Sequence, residues 1–149
     1  MLFAGLHPGR PTQTRSLFFA DSPRGTVPLL GTYGITFRLL HSYRLAEEAG
    51  RWVAHTASYS YELMLRDGQE ILAYHYHPAG PSPVKTPHLH VRSATAPVPL
   101  GKAHIPTGRV ALEAVLRFTI VELKVEPIRA DWASVLDRGE AEFNDLRRW

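Results

Sequence analysis

The chain has 149 residues, no cysteine, eight histidines and a formal net charge of +3. That length suits one compact domain and is too short for two well-buried cores, and the lack of cysteine excludes disulfides and thiolate metal sites. No apolar run approaches the roughly 20 residues of a membrane-spanning helix, and Met1–Pro8 lacks the pattern of a secretory signal, so the expectation is a cytoplasmic protein without membrane contact.

Residues 1–28 are rich in Pro, Gly, Ser, Thr and Arg and show no sustained period. They are expected to be a flexible leader, with at most a short strand at 16–20, ahead of a single α+β domain spanning 29–149. Much of the positive charge lies here. Residues 1–45 carry five arginines against Asp21, and the rest of the chain is close to neutral. The basic balance therefore argues only weakly for nucleic acid.

From Thr32 to Gly50, the series Ile35, Leu39, Leu40, Tyr43 and Ala46 has helical spacing, with Gly50 as its stop. A strand across Thr32–His41 is the rival reading, because Gly34, Thr36 and Phe37 are poor helix formers. Trp52–Arg66 reads as a long strand, Asp67-Gly68 as a two-residue hairpin turn, and Glu70–His77 as the returning strand. Four prolines and a glycine make 78–87 a loop. His88–Ser93 is a third strand, and Lys102–Ile105 a short fourth. Arg109–Val125 is the clearest helix, with Leu112, Val115, Leu116, Thr119 and Leu123 in one stripe. Asp131 caps a last helical stretch, broken near Gly139 and running to Trp149. The fold class expected is α+β: a small antiparallel sheet, a hairpin plus one or two strands, packed against helices.

A two-residue turn at Asp67-Gly68 sets the hairpin register. It places Leu63, Tyr61 and Tyr59 opposite Leu72, Tyr74 and Tyr76 on an apolar, aromatic face. It places Met64, Glu62, Ser60 and Ser58 opposite Ile71, Ala73, His75 and His77 on the other. A slip of one residue would mix the two faces. In the third strand Leu89 and Val91 alternate with His88, His90 and Arg92. The polar face therefore gathers His75, His77, His88 and His90, with His104 close by in sequence. Downstream, Thr107-Gly108-Arg109 enters the long helix, where free N–H groups, a capping hydroxyl and a guanidinium could hold an anion.

Two chemistries use such residues. Without paired carboxylates, His75, His77, His88, His90 and His104 could supply the acid and the base for metal-independent phosphodiester cleavage. Arg92, Thr107, Gly108 and Arg109 would then bind phosphate, and no cofactor would be needed. Alternatively, the two His-x-His pairs, His75/His77 and His88/His90, could hold Zn or Mn. A non-catalytic binding protein is the third class. No P-loop, dinucleotide-binding glycine motif, His-Glu-x-x-His or Gly-x-Ser-x-Gly is present.

The run Glu70-Ile-Leu-Ala-Tyr-His-Tyr-His-Pro78, then Pro87-His-Leu-His90, then His104, resembles the TumE-type toxins of bacterial toxin–antitoxin pairs over residues 57–105. The Pro-Thr-Gly-Arg entry to the helix and the leader depart from that pattern. The resemblance implies a growth-inhibiting toxin acting on RNA, with a helix-turn-helix antitoxin as partner.

Overall fold

In the computed structural model, the described residues are 2–4, 13–20, 25–92 and 103–146. They form an antiparallel sheet with two helices: β1 Leu2–Ala4, β2 Arg15–Phe19, β3 Thr26–Pro28, β4 Ile35–Glu48, β5 Arg51–Leu65, β6 Glu70–Tyr76, β7 His88–Val91, β8 Ile105–Pro106, α1 Leu112–Val121 and α2 Trp132–Leu146. The sheet order is β1-β2-β4-β5-β6-β7-β8, and β3 also pairs with β4. A mixed α+β fold is observed, but its sheet is far larger than a hairpin plus one or two strands.

The main reason is β4. Residues 35–48 form a strand, and the helical reading of 32–50 is corrected. Ile35, Phe37 and Leu39 are buried at every second position, against the apolar residues of β5. The burial that decides is the period-two series, and Thr36, Phe37 and Tyr43 suit a pleated sheet better than a helix. Gly50 is not a helix stop. Ala49 and Gly50, at φ 50° and 76°, make the tight turn between β4 and β5 that Glu48 and Arg51 close.

The β5–β6 register is the expected one through its centre: Tyr59 faces Tyr76, Ser60 faces His75, Tyr61 faces Tyr74, Glu62 faces Ala73 and Leu63 faces Leu72. The turn itself differs. Leu65 N–H donates to Gln69 O and Gly68 N–H to Leu65 O, so the loop is Arg66-Asp67-Gly68, and only Gly68 has positive φ, at 88°. Met64 consequently pairs with Glu70 rather than Ile71, and a bulge follows at Leu63/Met64. The extra loop residue and the bulge displace the register in opposite senses and cancel.

The aromatic face of the sheet carries the core. Ile35, Phe37, Leu39, Tyr59, Tyr61, Leu63 and Leu72 pack with Val115 of α1, flanked by Leu112, Leu116 and Phe118. Leu17 and Phe19 of β2 and Val27 of β3 also pack on this core. The strand expected at 16–20 is present as β2. Residues 15–19 and 26–28 therefore belong to the sheet rather than to a separate leader, while 1, 5–12 and 21–24 lie outside the described residues.

α1 begins at Leu112, not Arg109, after an extended Ala111 that makes no side-chain cap, and it ends at Val121. α2 runs unbroken through Gly139, where a Cβ would come within 2.5 Å of Glu113 Oε1. The glycine permits close approach of the two helices instead of breaking one. The ends expected for the third strand and the last helix, and the start of the fourth strand, fall on 93–102 and 147–149, outside the described residues. No described helix is long and apolar enough to cross a membrane.

Candidate metal centre

Pairing fixes what the polar face contains. On β6, β7 and β8, His75 is opposite His88, Ala73 is opposite His90, and His88 is opposite Pro106. Since side chains alternate along a strand, His75, His88, His90 and His104 point to one side of the sheet. Their rings are close. His75 lies 5.7 Å from His88 and 5.1 Å from His90 between ring centres, and His88 lies 5.0 Å from His90. His104 lies 5.0 Å from His88 and 4.6 Å from His90, and His77 extends the group at 5.3 Å from His75. The structure thus brings together all five histidines that the sequence nominates.

Within this group, His75, His88 and His90 offer ligand nitrogens that lie within 4.8 Å of one another. A tetrahedral zinc ion with Zn–N near 2.1 Å needs nitrogens about 3.4 Å apart, a gap that small ring rotations close. His88 is 2% exposed, and its Nδ1–H donates to Thr86 O at 2.8 Å. That bond fixes the ring, and in the neutral imidazole it leaves Nε2 as the lone-pair atom, the usual outer arrangement of a metal-bound histidine. Nε2 of His75 is buried without a hydrogen-bond partner. Buried polar atoms are normally completed by protein, ordered water, a ligand or an ion.

Burial holds His75 down to about 4, with His90 adding repulsion and Glu62 opposing the shift. Burial also lowers His77 and His90, each helped by neighbouring histidines. Each of these shifts favours the neutral imidazole, the form that ligates a metal or accepts a proton.

Next to His75, Glu62 is 9% exposed. Its Oε1 accepts the Ser60 hydroxyl at 2.7 Å and lies 4.0 Å from His75 Nε2, and its Oε2 pairs with Arg38. Arg38 was absent from the sequence-based site because it lies on β4, where a helical reading gives no cross-strand neighbour. Its pairing with Glu62 across β4 and β5 is visible only once β4 is a strand.

The remaining nominated residues divide. Arg92 follows β7 and lies 3.8 Å from Glu70, exposed at the margin of the polar face. Thr107, Gly108 and Arg109 do not join the histidines. Thr107 N–H donates to Pro87 O, and its hydroxyl is buried without a partner. Arg109 donates to Tyr76 Oη at 3.0 Å, and its guanidinium carbon lies 5.0 Å from the centre of that ring, which belongs to the aromatic face. Val110 N–H donates to Tyr59 Oη. This segment fastens the entry of α1 to the tyrosines, and the helix begins three residues after Arg109, so Thr107, Gly108 and Arg109 lie ahead of its first turn.

No family model matches the sequence, and neither a curated protein nor a solved structure is significantly similar to it.

Proposed function

We propose that the histidine cluster is a divalent transition-metal centre of the open, catalytic kind, with His75, His88 and His90 as ligands. The observation that carries this is the convergence of three imidazole nitrogens within 4.8 Å on neighbouring strands. The unpartnered, buried Nε2 of His75 and the Thr86-anchored ring of His88 support it. Three imidazoles suit Zn²⁺, and a three-ligand set leaves a position for water or substrate, as catalytic zinc sites do and closed structural sites do not. Such a metal would lower the pKa of its bound water and supply a nucleophile. His104, exposed beside His88 and His90, borders the open side.

Metal-free cleavage of RNA, the reading that follows from likeness to TumE-type toxins, needs one histidine that donates a proton near neutral pH. The lowered values of His75, His77 and His90 make these three rings poorly suited to that role.

The test is metal content. Protein purified without a histidine tag and equilibrated with Zn²⁺ or Mn²⁺ should retain about one ion per chain. It should also gain thermal stability, roughly 2.7 kcal/mol at a hundredfold excess over Kd. A His88→Ala/His90→Ala variant of unchanged circular dichroism should lose both. Wild type that retains no ion and gains no stability overturns the metal reading. Induced expression would then test the ribonuclease reading: wild type should arrest growth and degrade RNA unless an antitoxin is supplied, and His90→Ala should not.

A further inference from the structure

Beside the histidine cluster, the polar face opens into a pocket of about 500 Å³. Its lining includes Ser42, Arg44, His55, Ser58, His77 and Gly80. That volume falls within the range of sites for small molecules. The pocket and the cluster share His77, whose ring centre lies 5.3 Å from that of His75.

The charges in this pocket are unequal. Arg44 is steadied by donation from Nε to Thr14 Oγ1 at 3.2 Å, its one hydrogen bond among the described residues. Its two terminal nitrogens therefore keep their donors. The Glu48 carboxylate, four residues along β4 from Arg44, is engaged by His55 Nε2 at 2.7 Å. Among the described residues the pocket is lined by no acidic side chain, and besides Arg44, His55 and His77 its polar side chains are hydroxyls. A guanidinium fork with open donors, set among hydroxyls, matches a carboxylate group in shape and charge.

We propose that this pocket binds a small organic carboxylate, anchored by Arg44 and the Ser42 and Ser58 hydroxyls, with the remainder of the molecule directed past His77 towards the histidine cluster. Its role as a substrate rests on reading the cluster as a metal centre, whereas the binding itself does not.

Calorimetric titration of untagged protein with malonate and with inorganic phosphate, each with and without bound Zn²⁺, tests the assignment. Malonate should bind, and Arg44→Gln should weaken it at least tenfold while leaving metal stoichiometry and thermal midpoint unchanged. Malonate binding that ignores Arg44→Gln, or no malonate binding at all, overturns the pocket assignment whatever the metal result. Phosphate binding as tight as malonate binding overturns the choice of carboxylate. Malonate binding that depends on Arg44 in protein that never takes up metal upholds the pocket and overturns the metal reading alone.

Discussion

Glu62 is held from two sides, by the Ser60 hydroxyl and by Arg38 across the strand pair. The two partners differ in exposure. The Arg38 side chain is 42% exposed and that of Glu62 12%. Removing either one breaks the same ion pair, but the consequences should differ. Without the carboxylate, Arg38 turns to water. Without the guanidinium, a buried carboxylate is left with the Ser60 hydroxyl and the His75 ring, whose charged form burial disfavours. An orphaned buried polar group costs about 1–3 kcal/mol, while an exposed pair contributes little. Arg38→Ala should therefore destabilise the metal-free protein by about 1–3 kcal/mol, and Glu62→Gln by less than about 1 kcal/mol. Urea denaturation of both variants measures this. Equal losses would show that the pair does not have this asymmetry of burial.

At the scale of elements, α1 and α2 meet where Gly139 faces Glu113. A Cβ on residue 139 would lie 2.5 Å from Glu113 Oε1 and 2.9 Å from its Cγ. Glycine inside a helix costs roughly 0.5–1 kcal/mol relative to alanine, so alanine here carries a gain and a clash together. The clash is with a side chain that can swing aside. In a Glu113→Ala background, Gly139→Ala should stabilise by about 0.5–1 kcal/mol. In the natural background it should give less than half of that gain. A double-mutant cycle by thermal denaturation reads the coupling, and strict additivity would deny the close approach. The same glycine shows why sequence periodicity misleads at element boundaries: it reads as a helix breaker until the neighbouring helix is in place. β4 is the larger case. Leu39, Leu40 and Tyr43 mimic a helical stripe, yet Leu40 is 44% exposed while Ile35, Phe37 and Leu39 are buried. Only a partner sheet selects between the two periods. The β5–β6 faces were legible because tyrosines and polar residues alternate cleanly there, and because the three-residue turn and the bulge cancel. That register carried His75 and His77 onto one face, and the alternation in 88–91 carried His88 and His90 with them. Arg38 and Arg44 could not be read in the same way, since their place beside the histidines depends on β4 pairing with β5.

Taken as a whole molecule, the sheet draws in residues whose composition suggests a leader. Averaged over positions 1–28, the many Pro, Gly, Ser and Arg residues conceal the five-residue strand Arg15–Phe19, which pairs with Leu40–Tyr43 of β4. Thr26–Pro28 pairs with Thr36–Arg38 along the same edge. Phe19 meets Phe37 edge-on, with ring centres 6.1 Å apart, and Leu17 and Val27 pack on the same core. Deleting residues 1–28 would uncover the β4 edge from Thr36 to Tyr43, leaving backbone donors and acceptors unpaired, and would strip the cover from Phe37 and Leu39. Full burial of an aliphatic or aromatic side chain is worth about 1.5–3 kcal/mol, and Leu17, Phe19 and Val27 are only partly buried, so their combined loss is roughly 3–6 kcal/mol. A domain with a total stability of about 5–15 kcal/mol does not absorb that easily, and a bared edge strand invites association. The truncated protein should lose more than about 10 °C in thermal midpoint and elute partly as aggregates in size-exclusion chromatography. Phe19→Ala in the full chain, which leaves the backbone pairing intact, should lose about 1–2 kcal/mol. A truncated protein that stays monomeric with an unchanged midpoint would return residues 1–28 to the role of a dispensable leader and remove β2 and β3 from the sheet.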